Sequence, residues 1–320
     1  GLYQVINISF IALFIVSICY GEVPFSQHVP RECIRSRLLQ SISQLWTMIY
    51  GSHQNSAIPV PLPHDYLLGI DTQLAAFDHG GRSYLHGTWS DRGWWHYYLH
   101  CFVYKLPLAN LLLFAIGIVN LARRRRCLLA LATPLCFWLM LVSAQTGFSQ
   151  HFRYAFATLP YFHLIAGSVF AETKRSAAQP RSWREFSILL LLCWSVFSSL
   201  QEWPRSHAFF SEVCGGSANG SDYLLDSCLD WGQDLTLAAD WVAAHPQAQP
   251  VYHALLTDDM AAAMPLNWMQ ATDLTRPGWY IVSRQRVLDP ADPCHLFAKA
   301  TPVRRLSNSM AVYSGIDRKE

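Results

Sequence analysis

The sequence predicts a polytopic α-helical membrane protein of about five spans with a small soluble α/β domain at its C-terminal end. Three observations lead there. The composition is too apolar for an ordinary soluble domain. Five runs are apolar enough, in whole or in part, to form spans. Two basic loops fall two spans apart, so both lie on one side of a membrane.

Of the 320 residues, 52% are hydrophobic and 14% charged, against roughly 25% charged in a soluble domain. The mean hydropathy is positive, +0.15. These values argue against disorder and against a purely soluble enzyme. The net charge is +2, from 24 basic and 22 acidic residues. With no basic groove of interleaved aromatics, no nucleic-acid partner is expected. The 12 Trp suit the aromatic belts that mark a bilayer's edges.

The expected spans are Leu2–Tyr20, Tyr97–Ala122, Cys127–Ala144, Tyr154–Ala171 and Phe186–Leu200. Each offers lipid a helix with its backbone hydrogen bonds internally closed. The last is short, but Trp183 and Trp203 flank it as interfacial anchors. Leu2–Tyr20 lacks the basic start and small-residue cleavage site of a signal peptide, and the first residue is Gly1. The chain is therefore expected to be the C-terminal part of something longer.

Arg123–Arg126 forms one basic loop; Lys174, Arg175, Arg181 and Arg184 form another. Two spans separate them, so both are expected on the cytoplasmic side. The connection Gln145–Gln150, the loop Gly21–Trp95 and the tail Gln201–Glu320 then lie outside. This divides the chain into a transmembrane region, 1–200, with its outer loop at 21–95, and an extracytoplasmic domain, 201–320. The loop contains an amphipathic stretch, Arg35–Tyr50, with Leu38, Leu39, Ile42, Leu45, Trp46 and Ile49 at helical spacing. It suits equally a helix on the membrane surface and one packed on the protein.

In the tail, Tyr223–Leu225, Val251–Leu256, Gly278–Val282 and Ala311–Tyr313 read as strands, and Trp231–Ala244 as a helix. Asp230 with Gln233 three residues on predicts a capping box, and His245-Pro246 a stop. Five of the nine cysteines lie in or beside spans and read as small apolar residues. Cys33, Cys214, Cys228 and Cys294 lie where disulfides persist. Cys214 and Cys228 are the expected pair, closing a loop of about 15 residues worth roughly 3 kcal/mol; two thiols are the alternative. With no CxxC pair, structural zinc is not expected.

Lys105 stands inside the second expected span, in Tyr104-Lys105-Leu106-Pro107. Counting from Trp94 and Trp95, it falls roughly 10–15 Å deep at ~1.5 Å per residue. A lysine there costs about 2.5–3.5 kcal/mol, so it either faces an anionic ligand such as a phosphate or snorkels to the interface. Pro107 frees the carbonyl of Val103. Arg153, in His151-Phe152-Arg153-Tyr154, is the formal charge before the fourth span and suits bidentate phosphate binding, or ends the span at the interface. Tyr84–His100 is dense in Tyr, Trp and His, a lining for sugar and headgroup sites and equally an interfacial belt. His96 and His100, four apart, lack an evident third metal ligand. Asp226, Asp230, Asp234 and Asp240 lie near one expected helix, where a carboxylate pair for acid/base work is conceivable.

Three groups of motifs carry a resemblance. The first is Pro61-Leu62-Pro63 through Gly69-Ile70-Asp71, then Tyr84-Leu85-His86-Gly87. The second is Gly93-Trp94-Trp95 through Tyr98 to Lys105-Leu106-Pro107, then Arg153-Tyr154 and Leu159-Pro160. The third is Tyr223–Asp234, with its run Asp230-Trp231-Gly232-Gln233-Asp234, then Pro277-Gly278-Trp279-Tyr280 and Ser283. In order and spacing they resemble the C-terminal half of bacterial membrane glycosyltransferases that use polyprenyl-phosphate sugars. That group is similar to protein O-mannosyltransferases and lipid A aminoarabinose transferases.

The resemblance implies a C-type glycosyltransferase fold in the bacterial inner membrane, its C-terminal domain extracytoplasmic. It implies a lipid-linked sugar donor, a protein, lipid or glycan acceptor, and contact with membrane lipids. Lys105 and Arg153 match positions expected to face the carrier phosphate. His86, Trp94, Tyr98, His151 and Tyr154 are expected to line the sugar or lipid. The family's catalytic acids sit in a first outer loop that would precede Gly1, so no catalytic residue is assigned, and no metal. Cys228 stands where the family pattern has Asn. The rival expectations are half of a transporter and a non-catalytic module binding glycans or a partner.

Overall fold

The computed structural model describes residues 2–21, 28–50, 57–59, 62–144, 149, 151–170 and 183–315. They fall into two compact units, Gly1–Gly81 and Arg82–Glu320. The expected boundary at residue 200 runs inside the second unit. Of the second expected basic loop, Lys174, Arg175 and Arg181 lie outside the described residues. So does most of the connection 145–150.

The first unit opens with α1, Leu2–Tyr20, apolar around its whole circumference and almost entirely exposed. An apolar helix whose side chains are mostly left uncovered by the protein is what a lipid environment tolerates; near its end Tyr20 meets the ring of Tyr66 of the same unit (5.8 Å). A short antiparallel ribbon pairs β1, His28–Pro30, with β2, Ala57–Pro59. The amphipathic stretch forms α2, Arg37–Tyr50, beside α3, His64–His79. One stripe of α2, with Leu39 and Trp46, packs against Ile34 and Leu67. Leu38, Ile42, Leu45 and Ile49 stay exposed.

Helix α3 holds the start of α2 through its carboxylates. The first turn of a helix leaves backbone donors without partners. Just before and at the start of α2, Asp71 accepts from Arg35 N (2.7 Å), Ser36 N (2.9 Å) and Ser36 Oγ (2.6 Å), and Asp78 accepts from Arg37 N (2.7 Å). Burial works to raise the Asp71 pKa, but these hydrogen bonds hold it below the usual carboxylate range.

The second unit begins with a hairpin of β3, Ser83–Leu85, and β4, Thr88–Ser90. Its two turn residues, His86 and Gly87, both have positive φ (51° and 75°), the twist two-residue hairpins prefer. Helices α4, Tyr97–Lys105, and α5, Leu108–Ala122, follow, bent by 113° about Leu106 and Pro107. Helix α6 is Arg125–Ser143. A 3-10 helix, Phe152–Thr158, leads into α7, Leu159–Gly167, and α8 is Trp183–Leu200. Helices α5 and α7 touch backbone to backbone: a Cβ on Gly117 would lie 2.0 Å from the carbonyl oxygen of Ile165.

Among the described residues three helices are long and apolar enough to cross a membrane: Tyr3–Tyr20 of α1, α6 and α8. The two other expected spans take different forms. Tyr97–Ala122 is the bent pair α4–α5. Tyr154–Ala171 is divided between the 3-10 helix, the nine-residue α7 and a further short turn. Pro160 has no N–H to bond back to Phe156, so the helix restarts there.

After α8 come short 3-10 turns, then α9, Leu235–Ala244. A five-stranded sheet has the order β6-β5-β7-β9-β8. Its strands are β5, Val251–Ala254; β6, Met269–Gln270; β7, Trp279–Ser283; β8, Arg304–Arg305; and β9, Met310–Ser314. Short helices α10, Asp258–Ala262, and α11, Arg284–Leu288, follow β5 and β7. Strand β5 is parallel to β6 and β7, while β9 is antiparallel to β7 and β8. Ile281 and Val312 pack with Trp241 of α9, and Tyr280 and Tyr313 with Phe297, so the sheet is covered on both faces.

Two tail expectations are corrected. Tyr223–Leu225 forms no strand; Leu224 and Leu225 are buried between 3-10 turns. The helix expected from Trp231 starts at Leu235, because Gly232 adopts φ +81° and breaks the path. The capping box does not form. Asp230 accepts from Gly232 N (2.9 Å) and Gln233 Oε1 from Trp231 N (2.7 Å), making a tight turn instead.

Candidate functional site

Lys105 ends α4, where a cation meets the negative end of the helix. It is not within a continuous span. Its ammonium donates to the carbonyls of His207 (2.9 Å) and Cys228 (2.7 Å) and lies 4.2 Å from the centre of the Phe210 ring. Ser211 completes the break: its hydroxyl donates to Val103 O (2.8 Å) and its N–H to Tyr104 O (2.8 Å). Leu108 N, the first donor of α5, is taken by Glu212 Oε2 (3.0 Å).

Arg153 lies on the 3-10 helix with its guanidinium over the rings of Tyr154 (5.4 Å) and Trp231 (5.3 Å). Lys105 and Arg153 line one cavity of about 420 Å³. Its walls are largely apolar, with Leu106, Phe156, Leu159 and Phe209, and Trp231 closes one side. Neither cation has a carboxylate within ion-pair distance among the described residues. Two like charges over one low-dielectric cavity repel, and an anion between them relieves that cost.

His151 and Asp226 border this cavity through Ser227, which lines it. His151 Nδ1 is hydrogen-bonded to Ser227 Oγ and lies 3.8 Å from Asp226 Oδ1. Burial, helped by the Arg153 charge, pushes the His151 pKa down to about 4, so the ring is neutral at pH 7. Burial raises Asp226, although hydrogen bonds from Ser227 N and the Arg153 charge oppose it. Asp226 has φ +56°, a conformation side chains rarely adopt, pinned by its N–H donating to Gln285 Oε1 (2.7 Å).

The expected sugar-lining residues do not form one surface. Tyr98 is buried in the core and Trp94 packs partly against it. His151 and Tyr154 lie by Arg153. His86 belongs to a separate cluster: its Nε2 bonds the Tyr104 hydroxyl, which also meets His100 Nδ1 (3.1 Å), and His96 stands 5.0 Å from His100, ring to ring. Among the described residues no group of three metal-type side chains is placed to hold an ion.

The expected Cys214–Cys228 disulfide is absent; both side chains are thiols. Cys214 is buried, which pushes its pKa up to about 12, while Cys228 Sγ lies 3.5 Å from the Tyr97 hydroxyl. In the tail motif, Trp231 faces the cavity. Gln233 Nε2 donates to Leu229 O (2.9 Å), and Asp230 and Asp234 are buried. Asp240 is exposed on α9, apart from the other three acids. The sequence did not reveal His207 and Ser227, which come from short 3-10 turns, or Phe210, which lies between two of them, because none of these segments has a repeating pattern.

The described residues thus form a mostly helical fold with three potentially membrane-crossing helices and a small mixed sheet. No protein-family model, curated protein or solved structure matches the chain.

Proposed function

We infer that this chain is part of an integral-membrane glycosyltransferase that moves a sugar from a polyprenyl-phosphate carrier to a protein, lipid or glycan acceptor at the outer face of a bacterial inner membrane. The observation that carries this is that Lys105 and Arg153 line one apolar-walled cavity, with no carboxylate at ion-pair distance from either among the described residues. A lipid phosphate joins an anion to an apolar chain, and this cavity offers two cations beside apolar walls. Five passages across the membrane, with the bent pair and the α7 region taking the second and fourth, and an extracytoplasmic sheet domain belong to this reading.

In the reaction, the bond between the anomeric carbon and the phosphate oxygen breaks and a bond to the acceptor oxygen forms. The acceptor hydroxyl gives its proton to a base, and the lipid phosphate departs with the bonding electrons. Lys105 and Arg153 stabilise the charge that grows on that phosphate, a contribution of several kcal/mol at about 3 kcal/mol per well-placed donor. The test is transfer of radiolabelled sugar from a polyprenyl-phosphate donor by the protein and its Lys105→Ala and Arg153→Ala variants. A drop of about 100-fold in each is expected. Unchanged transfer in both removes the cavity from the reaction.

The bend between α4 and α5 favours a second reading, half of a transporter, since transporters place broken helices at their substrate sites. Uptake of a labelled solute by proteoliposomes, without any sugar transfer, would select it.

A further inference from the structure

The motif Asp230–Asp234 gives Trp231 to the cavity, but its two aspartates serve a different place. Asp230 Oδ2 accepts from Ser283 Oγ (3.2 Å), and Asp234 Oδ2 accepts from Ser309 Oγ (2.8 Å). All four residues are buried. Ser283 ends β7 and Ser309 leads into β9, and these strands pair with Ser283 opposite Met310. The next residue, Arg284, donates its N–H to Ser309 O (2.7 Å). The motif therefore braces two adjacent strand ends. The brace is sequestered from solvent, and that burial raises the pKa of Asp230.

Those strand ends form the wall of a second, smaller pit of about 90 Å³. Arg284, Arg305, Ser221, Ser307, Asn308 and Tyr313 line it, and it shares no residue with the Lys105 cavity. Arg284 Nε donates to Ser221 Oγ (3.3 Å), which fixes the guanidinium. Among the described residues its one ion-pair partner is Asp222, 3.9 Å away with its side chain 64% exposed. Arg305 stands exposed on the edge strand β8 and forms no ion pair among the described residues. Two guanidiniums thus face the pit against one solvated carboxylate.

At about 30 Å³ per water, the pit holds roughly three waters, room for one tetrahedral oxyanion. Guanidinium forks match the oxygen spacing of such a group, and hydroxyl and amide donors complete the set. We propose that the Arg284–Arg305 pit binds a phosphate group, and that Asp230 and Asp234 position it through Ser283 and Ser309. The site stands on its own lining residues, whether or not the chain transfers sugar.

The experiment is a titration of the full chain in detergent micelles with inorganic phosphate at constant ionic strength, followed by ³¹P line broadening. Saturable broadening is expected, weakened at least tenfold by Arg305→Gln and less by Arg305→Lys, which keeps the charge and loses the fork. Arg305 is exposed, so these variants keep the fold, and circular dichroism checks it. Ser309→Ala is expected to weaken binding several-fold with Arg305 intact, the mark of a positioning residue. Repeating the titration in nanodiscs with and without phosphatidic acid identifies the source. Competition by that lipid assigns the pit to a headgroup; its absence assigns it to a soluble phosphate group. Absence of saturable broadening by the folded protein overturns the proposal. So does broadening that survives Arg305→Gln and disappears in Lys105→Ala.

Discussion

Two apolar runs of this chain carry a proline, and they end differently. Helix α6 contains Pro134 and remains one helix of 19 residues. The run containing Pro107 is bent by 113° into α4 and α5. Each proline removes one backbone donor, leaving the carbonyl four residues earlier without its usual partner. What differs is the surroundings. At Pro107 the tail supplies Ser211 for the carbonyls of Val103 and Tyr104, and Glu212 for the amide of Leu108. At Pro134 no described hydrogen bond reaches the Ala130 carbonyl from outside the helix. A proline makes a break possible, and partners from elsewhere in the chain make it a fixed corner.

Four substitutions test that contrast. Lys105→Met removes the ammonium that ties the corner to two carbonyls, and a loss of about 3 kcal/mol is expected in denaturant titrations in micelles. Pro134→Ala restores a helical donor where nothing outside compensates, and a gain of about 2 kcal/mol is expected. Pro107→Ala, at the supported corner, is expected to change stability by less than about 0.5 kcal/mol and to keep the bend; a straightened α4–α5 would refute the role given to the tail. Ser211→Ala leaves the Val103 carbonyl unpaired at a cost of about 1–2 kcal/mol.

A fifth substitution, Glu212→Gln, is expected to change stability by no more than about 0.5 kcal/mol at neutral pH. Its value lies in pH dependence. Burial works to raise the Glu212 pKa, but hydrogen bonds from Leu108 N and Trp194 Nε1, among others, hold it below the usual carboxylate value. Its stabilisation is therefore complete above the unfolded pKa of about 4.3 and fades as pH falls through the lower folded value. Melting curves between pH 6 and pH 3 should fall more steeply for the native protein than for the variant.

The sequence made the long, strongly apolar helices legible, because α1, α6 and α8 depend on hydropathy over a whole window. It showed the three main strands of the sheet to within one or two residues for the same reason. It did not show where Tyr97–Ala122 breaks, since the partners that shape the corner lie about a hundred residues away. The motif Asp230–Asp234 was legible as distinctive, but its turn depends on a left-handed Gly232 and its aspartates on serines in distant strands. Lys105 and Arg153 stood out by charge alone. Their common cavity depends on 3-10 turns that no periodicity announces, and Cys228 found Tyr97 where spacing pointed to Cys214.

The glycine at the α5–α7 crossing gives the cavity a remote fulcrum. With Gly117 against the Ile165 backbone, and Asn120 Nδ2 donating to Ser168 O (2.8 Å) beside it, the crossing has no room for even one added methyl. A bulkier residue there would lever α7 outward, and the opposite end of that short rod is Leu159, part of the cavity wall. The position of one cavity wall is thus set in part by a residue that lines none of it, as a hinge pin sets the swing of a door.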